Sequence, residues 1–239
     1  PIAALAIVGV LFGLLVWETP RFGDETELFN VFLDERFDLW VSRSPTWQSY
    51  LGIKDDYDKW DDGTPEYAAK DLELAIETLE DIKTFDYDVL DAQAKLSYLL
   101  YQDEMQAVLE GARFRDHGYQ VNQMFGEQSD TPAFLINIHQ VESLSDAEAY
   151  IARLNGIPKK FADIILQMRR SQQKGILPPK FVFTHVQRDI ENVLSGQPFE
   201  DTGPASTLLA DFRDKVATLQ IDDDQKAGLI ARAVQALLE

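Results

Sequence analysis

Three histidines, His117, His139 and His185, are the residues of this chain best suited to acid–base or metal chemistry. None belongs to a His-Glu-x-x-His run, which would put two imidazoles on one helical face with a carboxylate base between them. His139 and Glu142 are three apart and share a face if that stretch is helical. Two ligands leave a zinc shell incomplete unless distant residues converge, so an ordinary polar or capping histidine is the preferred reading. His185 lies among Phe181, Val182, Phe183 and Val186 and reads as packing on a helix face. The acidic clusters Asp55-Asp56, Asp61-Asp62 and Asp222-Asp223-Asp224 raise the question of calcium. Asp56-Tyr57-Asp58 begins the required alternation of ligands, but no central glycine and closing glutamate follow at the right places, so solvated loop is the better reading. There are no cysteines, which removes disulfides, thiol nucleophiles and thiolate metal sites. No nucleophile elbow, P-loop or dinucleotide fingerprint is present, and Ser195-Gly196 has no evident base. These residues assemble no complete catalytic, cofactor or metal set.

Periodicity and punctuation predict an all-α chain. Residues 1–20 open with seventeen uncharged positions closed by Trp17, and read as a transmembrane anchor. That length is at the lower edge of the roughly 17–25 residues a spanning helix needs. A secretory signal peptide is the competing reading, although no small-x-small cleavage pattern follows Leu15. Residues 21–239 read as one helical domain, expected on the extracytoplasmic side. Within it, Glu25 to Leu51 starts as a helix that Ser44-Pro45 stops, because a residue before proline avoids the helical region. Lys54–Asp62 is a charged loop carrying two aromatics. Thr64-Pro65-Glu66 starts a helix to about Lys83 that buries Leu72, Leu74, Ala75, Ile76 and Leu79. A third runs from Asp88 to Leu109 with Leu90, Ala94, Leu96, Leu99, Leu100 and Met105 as its apolar members.

Phe114 to Asn137 lacks periodicity and reads as an ordered connection. Ser143 then caps a helix that Gly156-Ile157-Pro158 interrupts, and a separate helix follows over Lys159 to Lys174, burying Ile164 and Ile165. Phe181 to Leu194, Ser206 to Leu219 and Asp222 to Leu238 complete the helices. We expect long antiparallel helices in a multi-helix array. The excess of 41 acidic over 22 basic residues, net charge −19, repels phosphate backbones and excludes nucleic acid as a partner. It equally keeps the helical domain off anionic headgroups, leaving the N-terminal helix as the only membrane contact.

Several segments together resemble the bacterial family DUF885. They are Arg43 to Gly52 (RSPTWQSYLG), Tyr119 to Gln123 (YQVNQ), Thr131 to Asn137 (TPAFLIN), Asp146 to Leu154 (DAEAYIARL), Gly175 to Val182 (GILPPKFV) and Leu194 to Phe199 (LSGQPF). Six matches in order over residues 25–239 are specific where each alone is weak. The resemblance implies an exported or membrane-anchored protein of more than twice this length, all-helical and similar in outline to zinc metallopeptidases with a deep groove between helical halves. Members attached by a lipid carry a cysteine for it, which this chain lacks. The family's zinc motif, a His-Glu pair followed by Pro-Gly-His, has no counterpart in this sequence, so no catalytic or metal residue is carried onto any position here.

What the resemblance implies for this chain is the N-terminal helical half of a zinc-dependent peptidase, forming one wall of a groove for a peptide substrate. Zinc would belong to the full-length protein, and the C-terminal half of the same protein would be the partner of this one. Tyr119, Asn122, Gln123 and Asn137 are the candidate groove-lining residues, since amides and aromatics beside glycines suit an extended backbone. The same stretch also reads as a structural connection with its aromatics packed inward. The alternative for the whole chain is a membrane-tethered helical binding or scaffold module without enzymatic activity.

Overall fold

A computed structural model describes residues 24–239. The anchor read in residues 1–20 lies outside them. Among the described residues no helix is long and apolar enough to cross a membrane. They form α-helices α1 (Glu25–Ser42), α2 (Pro45–Tyr50), α3 (Pro65–Ile82), α4 (Ala92–Gly111), α5 (Glu127–Asn137), α6 (Leu144–Gln173), α7 (Val182–Val193), α8 (Thr207–Ala217) and α9 (Asp223–Leu238), with 3-10 turns at Tyr87–Val89 and Ala112–His117. No strand occurs among them, and the fold is all-α as the periodicity predicts.

The described chain divides into two compact units. The first comprises residues 24–38 and 73–110. Its core is Phe29, Phe32, Ile82, Leu90, Ala94 and Tyr98, with Phe85 edge-on to Phe29 at 5.2 Å. Asp91 accepts from the Ala94 N–H at 2.7 Å, so α4 starts at Ala92, four residues after the expected start at Asp88. On α4 the buried stripe is Ala94, Tyr98 and Met105, while Leu96, Leu99 and Leu100, read as core, are exposed. The helix carries two apolar stripes, and nothing local distinguishes the one that meets the core. Ile76 on α3 is exposed for the same reason, its place taken by Thr78.

The second unit comprises residues 39–72 and 111–239. Leu135 of α5, Tyr150 and Leu154 of α6, Phe212 and Val216 of α8, and Leu229 and Ala233 of α9 form its core. Local capping agrees with the sequence. Thr64 accepts from Tyr67 N–H at 3.2 Å ahead of Pro65, Ser143 accepts from Asp146 N–H, and Asp222 forms a capping box with Gln225.

Two expectations are corrected here. Residues 127–137 are the helix α5, not connection. Pro132 removes one rung of its ladder, which hides it from a periodicity search, but Gln128, Thr131, Phe134 and Leu135 are buried along it. Its last turn carries no cation of its own. Lys215 of α8 supplies one, donating to Leu135 O at 2.7 Å and Ile136 O at 2.8 Å. Gly126, at φ 133°, starts α5 where a Cβ would lie 2.8 Å from Val121 Cα.

The second correction concerns Gly156-Ile157-Pro158, which does not interrupt anything. α6 runs unbroken for 30 residues through it, joining the two helices expected there, and Ile165 is exposed while Ile164 is buried. Gly156 serves tertiary packing, since a Cβ there would lie 2.9 Å from Trp60 Cδ1 and 3.3 Å from its Nε1. Gly228 of α9 has nothing within 4 Å of such a Cβ. Gly228→Ala is therefore expected to raise stability by up to ~1 kcal/mol through helix propensity. Gly156→Ala gains the same propensity but must displace Trp60, and is expected to lower stability by about 1 kcal/mol net. Urea-unfolding midpoints of the two variants check both signs.

Candidate functional site

The most buried charge in the molecule organises the second unit. Arg153 is fully buried on α6, in the face that also carries Tyr150, Ile151 and Leu154. Its Nε donates to Lys59 O at 3.0 Å and its Nη1 to His139 Nδ1 at 2.9 Å. Its Nη2 donates to Ser49 Oγ at 2.8 Å and Pro45 O at 3.3 Å. None of these acceptors is a carboxylate. The guanidinium also lies over the rings of Phe134 (4.8 Å), Tyr57 (5.1 Å) and Trp60 (5.5 Å). Polarisable faces and neutral acceptors thus replace the water lost on burial.

His139, in the link between α5 and α6, is the anchor of this network and has no spare valence. Because an arginine nitrogen can only donate, Nδ1 must accept, which places the ring proton on Nε2 to donate to Asp146 O at 3.0 Å. The ring stacks on Tyr57 at 4.1 Å and meets Tyr150 edge-on at 5.2 Å. Burial, reinforced by the Arg153 and Lys215 charges, lowers its pKa to about 3. His139 and Glu142 share no helical face, since both lie in the link. Glu142 instead pairs with Lys54 at 2.9 Å, and Lys54 also reaches Asp146 at 3.0 Å. Burial pushes the Asp146 carboxyl up, but hydrogen bonds from Lys54, the Glu142 N–H and Ser143 outweigh it and hold the group below the usual carboxylate range.

This network fixes the loop between α2 and α3. Gln48 accepts from Asp56 N–H at 3.1 Å and donates back to the Asp56 carboxylate at 3.1 Å. The Tyr57 hydroxyl donates to Gln140 O and accepts from Gln140 N–H. Trp60 donates through Nε1 to Arg153 O at 2.8 Å, which stands its ring upright against Gly156. Asp61 then accepts from Ser44 Oγ at 3.0 Å, Thr46 N–H at 2.9 Å and Thr46 Oγ1, securing the start of α2. Asp56 and Asp61 of this loop therefore hold the chain to itself.

The product of the arrangement is a cleft of about 270 Å³ between the loop, α5 and α6. Its apolar walls are Tyr50, Trp60, Phe134 and Ile164. Phe134 meets Trp60 at 5.2 Å and Tyr50 at 5.7 Å, and Tyr50 remains 63% exposed. Asp61, Glu127, Asp130, Asp163 and Lys160 supply its charge. Glu127 accepts from Lys160 at 2.5 Å and from Thr131 at 2.8 Å. Every carboxylate of the cleft is already positioned by a neighbour, Asp61 by Thr46, Glu127 by Thr131 and Lys160, Asp130 by the Gly126 N–H and Asp163 by Lys159.

Of the residues singled out from sequence, Tyr119 lines a different, more apolar cavity of about 310 Å³ with Met168, Leu177 and Phe183. Asn122 accepts from the Met124 and Phe125 N–H groups and shapes the turn before α5. Asn137 is exposed and donates to Ala133 O, and Gln123 is exposed. The structure does not bring the four together, and the neighbouring Gln120 lines both cavities. Among the described residues no three of His, Asp and Glu are placed to hold a metal ion, so the zinc implied by the resemblance does not fit them.

The described residues define an all-helical protein with an aromatic-walled, acidic cleft. The chain belongs to the family described as "Bacterial protein of unknown function (DUF885)", whose model matches residues 45–239. The fold is also similar to the one described as "The crystal structure of the putative lipoprotein from Colwellia psychrerythraea", with TM-score 0.75 and 18% identity. That match covers 91% of this chain and 39% of the other, so this chain spans well under half of that protein's length. A comparison with curated proteins found no match.

Replacing Arg153 strips partners from Ser49, His139 and two carbonyls at once. Arg153→Met is expected to cost about 3 kcal/mol or more in urea unfolding. The neutral His139 gives a pH dependence of definite sign. Its stabilising effect is complete above the unfolded-state value of 6.5 and declines as pH falls toward about 3, by about 1.4 kcal/mol per pH unit. His139→Gln, which can still accept and donate, should flatten the fall in unfolding free energy between pH 6.5 and about 4.5 by close to one proton.

Proposed function

We propose that this chain is the N-terminal helical part of a peptide hydrolase attached to the outer side of a membrane, and that its role is recognition. The observation that carries this reading is the cleft beside Trp60: concave, aromatic-walled, and built on a hydrogen-bonded network that holds its shape before any ligand arrives. The reaction class is what the sequence resemblance implies, since the family itself is described as one of unknown function. In this reading residues outside 24–239 hold the zinc, and this part lines the groove through which an extended peptide passes. The extracytoplasmic placement rests on the apolar opening of the sequence and on the description of the structurally similar protein as a lipoprotein.

The test uses the full-length protein. It should contain stoichiometric zinc, hydrolyse peptides, and lose that activity to a chelator. Tyr50→Ala is expected to raise KM about tenfold while kcat changes less than twofold, the signature of binding contacts made equally in ground and transition states. His139→Gln should leave the zinc content unchanged. Zinc-free protein without peptidase activity, or loss of zinc on altering His139, overturns the reading.

A further inference from the structure

We infer that the cleft walled by Tyr50, Trp60 and Phe134 is a subsite for one long cationic side chain, lysine or arginine, of a bound peptide. This deepens the function proposed above and rests on it for the peptide nature of the ligand.

Size comes first. At about 270 Å³ the cavity falls just below the roughly 300–1,000 Å³ of sites that enclose a whole small ligand, and suits a single side chain. Its walls suit one part of such a chain. Three aromatic rings and Ile164 offer apolar surface for a methylene stem, which lysine and arginine bury while their charged heads stay near polar groups.

Charge selects the head. Glu127 is neutralised by Lys160, and Asp163 pairs with Lys159 at 2.7 Å. Asp61 and Asp130 are held differently. Asp61 accepts from two hydroxyls and a backbone N–H, and Asp130 from the Gly126 N–H at 3.0 Å. Those neutral donors position the two carboxylates without cancelling their charge, so the cavity presents net negative potential beside aromatic faces. The chain already uses the same chemistry internally: Lys160 Nζ sits 5.4 Å from the Trp60 ring centre while bonded to Glu127. Arg153 occupies the faces of Trp60 and Phe134 from the core side. The exposed ring of Tyr50 is the wall left for a cation arriving from solvent. The acidic excess of the whole chain draws such ligands toward it.

The experiment measures equilibrium binding to the full-length protein of N-acetyl-lysine N-methylamide and its norleucine counterpart, which has the same stem without the charge. The lysine probe should bind about tenfold tighter, the size of one partly desolvated cation–aromatic or ion-pair contact, and the gap should narrow from 0.05 to roughly 0.5 M salt. Asp130→Asn keeps an oxygen for the Gly126 N–H and should close most of the gap, as should Tyr50→Ala, which alters only an exposed ring. Equal binding of the two probes, or a gap unaffected by both variants, overturns the proposal. So does norleucine N-methylamide with a free α-amine binding as tightly as the lysine probe, because the cleft would then take a chain terminus. Binding needs no turnover, so its failure beside intact hydrolysis removes only the cationic subsite. Selective lysine binding by a protein without zinc or hydrolysis removes only the peptidase reading.

Discussion

A buried guanidinium without a carboxylate is the constraint from which the second unit is built. Stripping water from Arg153 is costly, and the chain offsets that cost with four directed hydrogen bonds and three aromatic faces drawn from α2, the following loop, α5 and the link before α6. The acceptors come from three stretches, α2, the loop after it and the link before α6, and α5 adds the Phe134 ring, so satisfying one side chain fixes how four stretches converge. The loop carrying Trp60 has no secondary structure of its own, and its fixed course follows from this convergence. The cleft is walled by two of the rings that hold the arginine, Trp60 and Phe134.

What could be read in advance was what is local. Caps at Thr64, Ser143 and Asp222 act within three or four residues, so their chemistry is written in adjacent letters. The family could be recognised for a similar reason, through short ordered segments such as TPAFLIN and GILPPKFV. The helix α5 was hidden because its proline and polar first turn imitate a connection, while the contacts that make it helical come from α8 and the core. Gly156 looked like a break because a glycine's reason can lie in a distant residue, here Trp60.

The cleft was the least legible part. Its walls come from positions 50, 60 and 134, and its charges from 61 to 163, a spread that no spacing rule connects. One signal was available. Arg153 interrupts the apolar face of Tyr150, Ile151 and Leu154, and a cation in such a face must find buried partners. Following it would have led to His139, whose isolation in sequence from any metal-binding pattern agrees with a purely structural use. Composition alone marks Tyr119, Asn122, Gln123 and Asn137, and composition reports contact potential without reporting direction.

Two of the four acceptors around Arg153 are main-chain oxygens, present whatever residues occupy positions 45 and 59. Only Ser49 and His139 contribute side chains to the hydrogen bonding, so three letters of the sequence encode its directed part, while Tyr57, Trp60 and Phe134 supply the faces around it. Exchange of the arginine strands both side-chain partners, and loss of either partner takes away an acceptor from a guanidinium that water does not reach.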